Sequence, residues 1–300
     1  MATNIKALEH VTTQPPQSPR KPWLYYVGIS LRYLLLTLIG LVLFTPFILA
    51  ALGTFKTHSE IIAFPPKLLP AEWLVGNWTR VWNTDIGNGG TFPRWLFNTA
   101  FLSVTVAILE VIFCSMAAYA FARMEFPGRD AVFNFMLATM MIPGAVTLIP
   151  AYVLMTKLHL INTFWSLILP GAVSAGSLFM LTQFFKSVPK NLEEAARIDG
   201  ASHLEIYRNV IIPLARPALL TVFILQFQAM WNSFLQPLLY LNSADKYVLN
   251  VALSIFQQQF KAQWNLTLVG AMFNAIPVMV LFFIFSKYYI EGVAYTGIKG

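Results

Sequence analysis

Gln228, Asn232 and Gln236 recur every four residues within an apolar stretch, which predicts three side-chain amides within one arc of a helix. Trp231 falls beside them on the same side. Amides donate and accept hydrogen bonds and an indole offers an apolar plate, so the set suits the hydroxyls and the apolar face of a sugar ring. Facing lipid, each amide would leave donors unsatisfied, so the arc must face protein or water. A wet solute path meets that demand, and so does hydrogen bonding to a second helical bundle. A single carboxyl, Glu110, stands midway along another apolar block. An acid at a helix centre costs about 2.5–3.5 kcal/mol on insertion scales, so it requires a partner or a wet cavity. An ion-coupled relay and a hydrogen-bonded packing carboxyl are the two readings.

Other chemistries are excluded by pattern. The chain has no G-x-x-x-x-G-K-[ST] loop to cradle ATP, no H-E-x-x-H and no G-x-S-x-G. It therefore reads as neither an enzyme nor a cofactor or metal binder. His10, His58, His159 and His203 are scattered without ligand spacing, and the lone Cys114 lies inside an apolar block, which rules out an intrachain disulfide.

The elements that must position these groups are membrane helices. Of 300 residues, 57% are hydrophobic and 11% charged, and the mean hydropathy is +0.62. Those values exclude an ordinary soluble domain. Six apolar blocks approach the ~20 residues a crossing helix needs: 33–55, 95–122, 131–155, 163–185, 214–241 and 267–290. The expected fold is an all-α polytopic membrane protein with six transmembrane helices, preceded by a proline-rich, disordered tail over 1–30. The first block starts too late and is too long for a cleaved signal peptide. The transmembrane domain would then cover 31–300.

Basic residues divide unevenly between the two sides. Lys6, Arg20, Lys21, Arg32, Arg123, Arg129, Lys186, Lys190, Arg197, Arg208, Arg216, Lys287 and Lys299 fall on one side, against Lys56, Lys67, Arg80, Arg94, Lys157, Lys246 and Lys261 on the other. The excess predicts cytoplasmic termini and a cytosolic 186–213 loop. The net charge of +7 follows this sidedness and forms no nucleic-acid footprint. Two larger segments, 56–94 and 242–265, then lie outside, the first with Trp73, Trp78 and Trp82 at headgroup depth.

The loop is the longest charged, amphipathic interval between apolar blocks. Asn191 is placed to cap one helix, and Ser202 with Glu205 forms an S-x-x-E box for a second. Gly200 between them accommodates a left-handed backbone, so 190–208 should form two short helices near a right angle. Proline interrupts the spans at Pro143, Pro150, Pro170, Pro237 and Pro277, loosening helices that membranes otherwise tolerate well. Gly171, Ala172, Ala175 and Gly176 give small-xxx-small pairs for close helix approach, within this bundle or against another.

Glu194, Ala195, Ala196, Asp199, Gly200, Val210, Ile212 and Pro213 resemble the "EAA" loop of ABC-importer permeases. The resemblance extends to Arg123–Arg129, Met140–Pro143 through Pro150, Leu169–Gly171 and the ending Gly292–Gly300, and covers roughly residues 30–300. The chain is similar to the maltose-type branch of the carbohydrate-uptake permeases. That resemblance implies a type I ABC importer permease fold, the last five helices forming the core and the first packing outside. It implies an ATPase-coupling role for Glu194, Ala195, Ala196, Asp199, Gly200 and Pro213. It also implies a homologous second permease subunit, two ATP-binding cassette subunits, an extracytoplasmic solute-binding protein and a bacterial inner membrane. The tail Tyr295–Gly300 would reach between the ATPase subunits or fray. The solute path would use Gln228, Trp231, Asn232 and Gln236. The rival function is an ion-coupled secondary transporter using Glu110; a membrane scaffold is the third.

Overall fold

Long runs of Leu, Ile, Val and Phe without charge leave a chain in lipid only one local solution, the helix that bonds its own backbone. The computed structural model describes residues 23–259 and 263–297. In order the helices are α1 (Trp23–Gly53), α2 (His58–Ile62), α3 (Gly76–Trp82), α4 (Phe92–Arg123), α5 (Arg129–Thr139), α6 (Gly144–Lys157), α7 (Trp165–Gly171) and α8 (Ala175–Ser187). After these come α9 (Asn191–Ile198), α10 (His203–Ile206), a π turn (Tyr207–Ile211), α11 (Ile212–Leu214), α12 (Arg216–Trp231), α13 (Leu235–Tyr240), α14 (Leu249–Gln259) and α15 (Trp264–Gly297). Four helical stretches among the described residues are long and apolar enough to cross a membrane, and up to six if bent pairs count as one.

The chain divides into two units, 1–50 and 51–300. The described part of the first is most of α1, apolar around its circumference. It begins at Trp23, inside the expected tail, because Tyr25, Tyr26, Val27 and Ile29 already supply an apolar turn ahead of residue 33. The rest of that tail, 1–22, lies outside the described residues. At the other end α15 continues through Gly297, so 295–297 belong to the last helix and not to a polar tail; residues 298–300 lie outside the described residues.

Within the second unit α4 is the axis. Its 32 residues give a rod of about 48 Å at ~1.5 Å per residue, with its proline confined to the N-terminal turn, where no donor is lost. Its neighbours are broken. The third block bends by 101° between α5 and α6, where Pro143 caps α6 from an extended conformation. The fourth breaks at 172–174 between α7 and α8, and the fifth at 232–234 between α12 and α13. Gly171 explains one close approach: a Cβ there would meet Val106 Cγ1 at 2.7 Å, so the small residue serves packing of α7 on α4 inside this bundle.

Two cores clasp α4. Near one end, Cys114, Ala118 and Tyr119 pack with Leu181 and Phe185 of α8 and with Ile211, Ala215 and Val222 around α12. Further along, Leu102 and Val106 pack with Leu167, Ile168, Met230, Tyr240 and Val251. The opposite end is held by polar ties. Trp95 Nε1 donates to Ala244 O at 2.8 Å, Asn98 Nδ2 to Asp245 O and Tyr247 O, and Leu249 N to Thr99 Oγ1 at 2.7 Å. Asn162, with φ +62°, fastens the same 240–246 stretch through Ser243 Oγ, the Asn242 and Ser243 amides and Lys246 Nζ.

Candidate functional site

The polar segment after α8 is built from capping chemistry. α9 has Glu193 and Glu194 in its first turn and Arg197 in its last, charges that complement the helix dipole. Its N-cap is Lys190 without a side-chain bond, so Asn191 is the first helical residue and not the cap; Pro189 just ahead already turns the backbone. The chain leaves α9 through Gly200 at φ +84°, a left-handed turn that favours glycine. Ser202 then caps α10: its amide and Oγ both donate to Glu205 Oε2 at 2.7 Å, and Glu205 N donates back to Ser202 Oγ. The Ser202 amide first, and its hydroxyl second, hold the Glu205 carboxyl below its ordinary pKa. The two helices and the break at Gly200 are as the spacing predicts. Beyond α10, Pro213 has no amide proton to return to Asn209, and a π turn precedes it. A 77° bend at Ala215 then starts α12.

Exposure separates two kinds of residue here. Glu194, Ala195, Asp199 and Gly200 are exposed, with Pro213, and Ala196 is half-buried. Ile198 is 87% exposed and Leu204 69%, apolar side chains standing out from a polar segment. Glu193, by contrast, is buried. Its Oε1 lies 2.5 Å from Arg123 Nε, with side-chain exposures of 6% and 3%. The contact is an ion pair without hydrogen-bond alignment. Arg123 Nη2 donates to Val188 O at 2.6 Å, so one guanidinium joins the end of α8 to the start of α9. One and two turns back on α4, Tyr119 Oη meets His203 Nδ1 at 3.4 Å and Ser115 Oγ meets Tyr207 Oη at 2.8 Å. Sequence reading used Arg123 only for sidedness and resemblance, and passed over Glu193 and this stripe. The signal was present: Ser115, Tyr119 and Arg123 recur every four residues where an apolar helix ends.

The amide arc is divided. α12 ends at Trp231, and Asn232 closes it by donating Nδ2 back to Gln228 O at 2.9 Å. Asn250 Nδ2 donates to Trp231 O, satisfying another terminal carbonyl. Pro237, third in α13, has no amide to carry the ladder across the gap. Gln236 therefore belongs to another helix and shares no arc with Gln228. Trp231 is no exposed plate: it is 2% exposed, stacks on Phe227 at 5.4 Å and donates Nε1 to Asn274 O at 3.0 Å. Gln228, Asn232 and Gln236 are exposed. Gln228 also edges a cavity of about 100 Å³ shared with Phe227, Val278 and Phe282.

Glu110 is fully buried. Its Oε1 accepts from Ser174 Oγ at 2.6 Å and its Oε2 has no hydrogen-bond partner. Ser174 also caps α8 by accepting from Ser177 N. The carboxyl thus braces the break between α7 and α8. Among the described residues there is no cluster of three or more metal-ligating side chains.

Residues 110–293 match the model of the family described as "Binding-protein-dependent transport system inner membrane component". The chain is 32% identical to an arabinooligosaccharides transport system permease protein of Bacillus subtilis over 92% of this chain and 96% of that one. It is 30% identical to a maltodextrin transport system permease protein of the same organism, over 89% and 95%. A chain from the crystal structure of a bacterial ABC transporter that imports the acidic polysaccharide alginate superposes with a TM-score of 0.75. It is 25% identical and covers 91% of this chain and all of that chain.

Proposed function

Because this chain belongs to the binding-protein-dependent transport inner membrane component family, we propose that it forms half of an oligosaccharide path and takes its drive from ATPases at 190–208. It is a permease subunit of an ABC importer, an inner membrane protein. The sugar relatives support a carbohydrate solute. No Lys or Arg stands deep in any of the six apolar blocks, which favours a neutral one. The partners are a homologous permease, two ATP-binding cassette subunits and an extracytoplasmic solute-binding protein. Both termini and the 186–213 loop lie in the cytosol.

The observation that carries the proposal is the pair of short capped helices around Gly200. Ile198 and Leu204 stand out of it into solvent, as apolar knobs do when a partner cleft receives them. Glu194, Ala195, Ala196, Asp199, Gly200 and Pro213 are the ATPase-coupling residues of this reading. Gln228, Asn232 and Gln236 are its solute-path amides, steadied by the buried Trp231. The test is reconstitution with the partner permease, ATPase and binding protein in vesicles. Ile198→Asp with Leu204→Asp should abolish ATPase association while leaving the protein inserted. Unchanged association and uptake would overturn the docking assignment.

A further inference from the structure

Every other described apolar block of the second unit except the last is interrupted, whereas α4 runs without a break from its outer ties to the polar segment. At one end Trp95, Asn98 and Thr99 bind the backbone of 244–249. At the other, Ser115, Tyr119 and Arg123 bind Tyr207, His203, Glu193 and Val188. We propose that α4 is a strut that carries movement of the coupling segment to the outer 244–249 stretch, with the buried Arg123–Glu193 pair as its grip. This rests on the coupling-segment reading above and goes beyond it by naming what that segment moves.

The physical case is one of stiffness and attachment. A helix with an intact hydrogen-bond ladder transmits displacement along its axis; one interrupted by proline bends and absorbs it. The 101° bend at Pro143 between α5 and α6 is such an absorber. Arg123 is suited to grip because it serves two helix termini together, the last carbonyl region of α8 and the acidic first turn of α9. A buried ion pair is weak support for stability yet costly to break from one side. Neutralising one partner therefore loosens α9 from α4 without removing the surrounding core. Arg123 is accordingly a positioning residue: it touches no solute and acts through α9.

The experiment uses the complete importer, with its binding protein, in proteoliposomes. Glu193→Gln and Arg123→Gln should lower the melting temperature of the subunit yet still assemble. Solute imported per ATP hydrolysed should fall about tenfold, within the ~5–150-fold span typical of coupling between sites, and stimulation of hydrolysis by the binding protein should fall with it. Arg123→Lys, which keeps the charge, should recover part of the loss. A second arm places cysteines at Tyr119 and His203 in a Cys114→Ser background and joins them with a short, reducible bifunctional thiol reagent. If α4 and the segment move as one body, linking leaves uptake where it stood in the same protein before linking, and in a Glu193→Gln background it restores coupling until reduced. An assembled Glu193→Gln importer with the normal ratio overturns the proposal, as does arrest of uptake on linking. Should Glu193→Gln fail to assemble, the linking arm alone decides. Gly200→Val is the control: normal coupling in that variant sinks the coupling-segment reading itself, whereas its uncoupling beside a normal Glu193→Gln sinks only the strut.

Discussion

Gly200 occupies φ +84° with nothing within 4 Å of where a Cβ would stand, so the demand for glycine is one of backbone conformation and not of space. Gly200→Val forces an L side chain into the left-handed region at roughly 1–2 kcal/mol. The expected outcome is an inserted protein whose hydrolysis and uptake no longer match, read as transported solute per phosphate released. Adjacent glutamates divide the labour. Glu194 is exposed and Glu193 is buried against Arg123, so Glu194→Lys should impair the ATPase contact while thermal stability of the subunit stays near normal. Glu193→Lys places two cations together and should lower the melting temperature as well. Glu205 offers a check on the capping geometry. Its folded pKa is depressed, so its contribution is present above the unfolded value, near 4.5, and is lost as pH falls through the folded value. Ser202→Ala should move its titration upward, measured by carboxyl carbon NMR shifts.

At the scale of elements, the α12–α13 break puts Gln228 and Gln236 on different helices. Cysteine at Gln228, Asn232 or Gln236 should react with a small polar thiol reagent and be protected by transported solute, whereas cysteine at Trp231 should stay unlabelled. If the first three resist in every nucleotide state, they form a packing seam. Much of this architecture is legible in the sequence. The Ser202–Glu205 box and the Gly200 turn followed from local chemistry, because capping and left-handed turns are decided within four residues. The arc was misread because period-four spacing presumes one continuous helix, and Asn232 with Pro237 ends that continuity. Arg123–Glu193 escaped because it joins residues 70 positions apart; no local pattern pairs a helix-end arginine with one glutamate of two. The inward turn of Trp231 depends on the Asn274 carbonyl of α15, again a long-range fact.

For the whole molecule, the uneven basic residues predict that reporters fused to either terminus are protected from reagents added outside cells. Uptake should require a hydrolysable nucleotide and be inhibited by vanadate. Neutral oligosaccharides should compete for uptake and acidic ones should not; competition by acidic sugars alone would reverse the charge argument. The ties at the Trp95 end of α4 also bear on how the protein is made. Asn98 reaches carbonyls 147 and 149 residues later in the chain, and Thr99 receives the Leu249 amide 150 residues on. At ~5–20 residues per second a ribosome takes roughly 7–30 s to supply those partners. Throughout that interval the Asn98 amide lacks the acceptors it has in the finished fold. The start of this helix can close its ties only once residues 244–249 have been made. A chain truncated before that point would leave the Asn98 amide, near the start of α4, without the two carbonyls that hold it in the complete subunit.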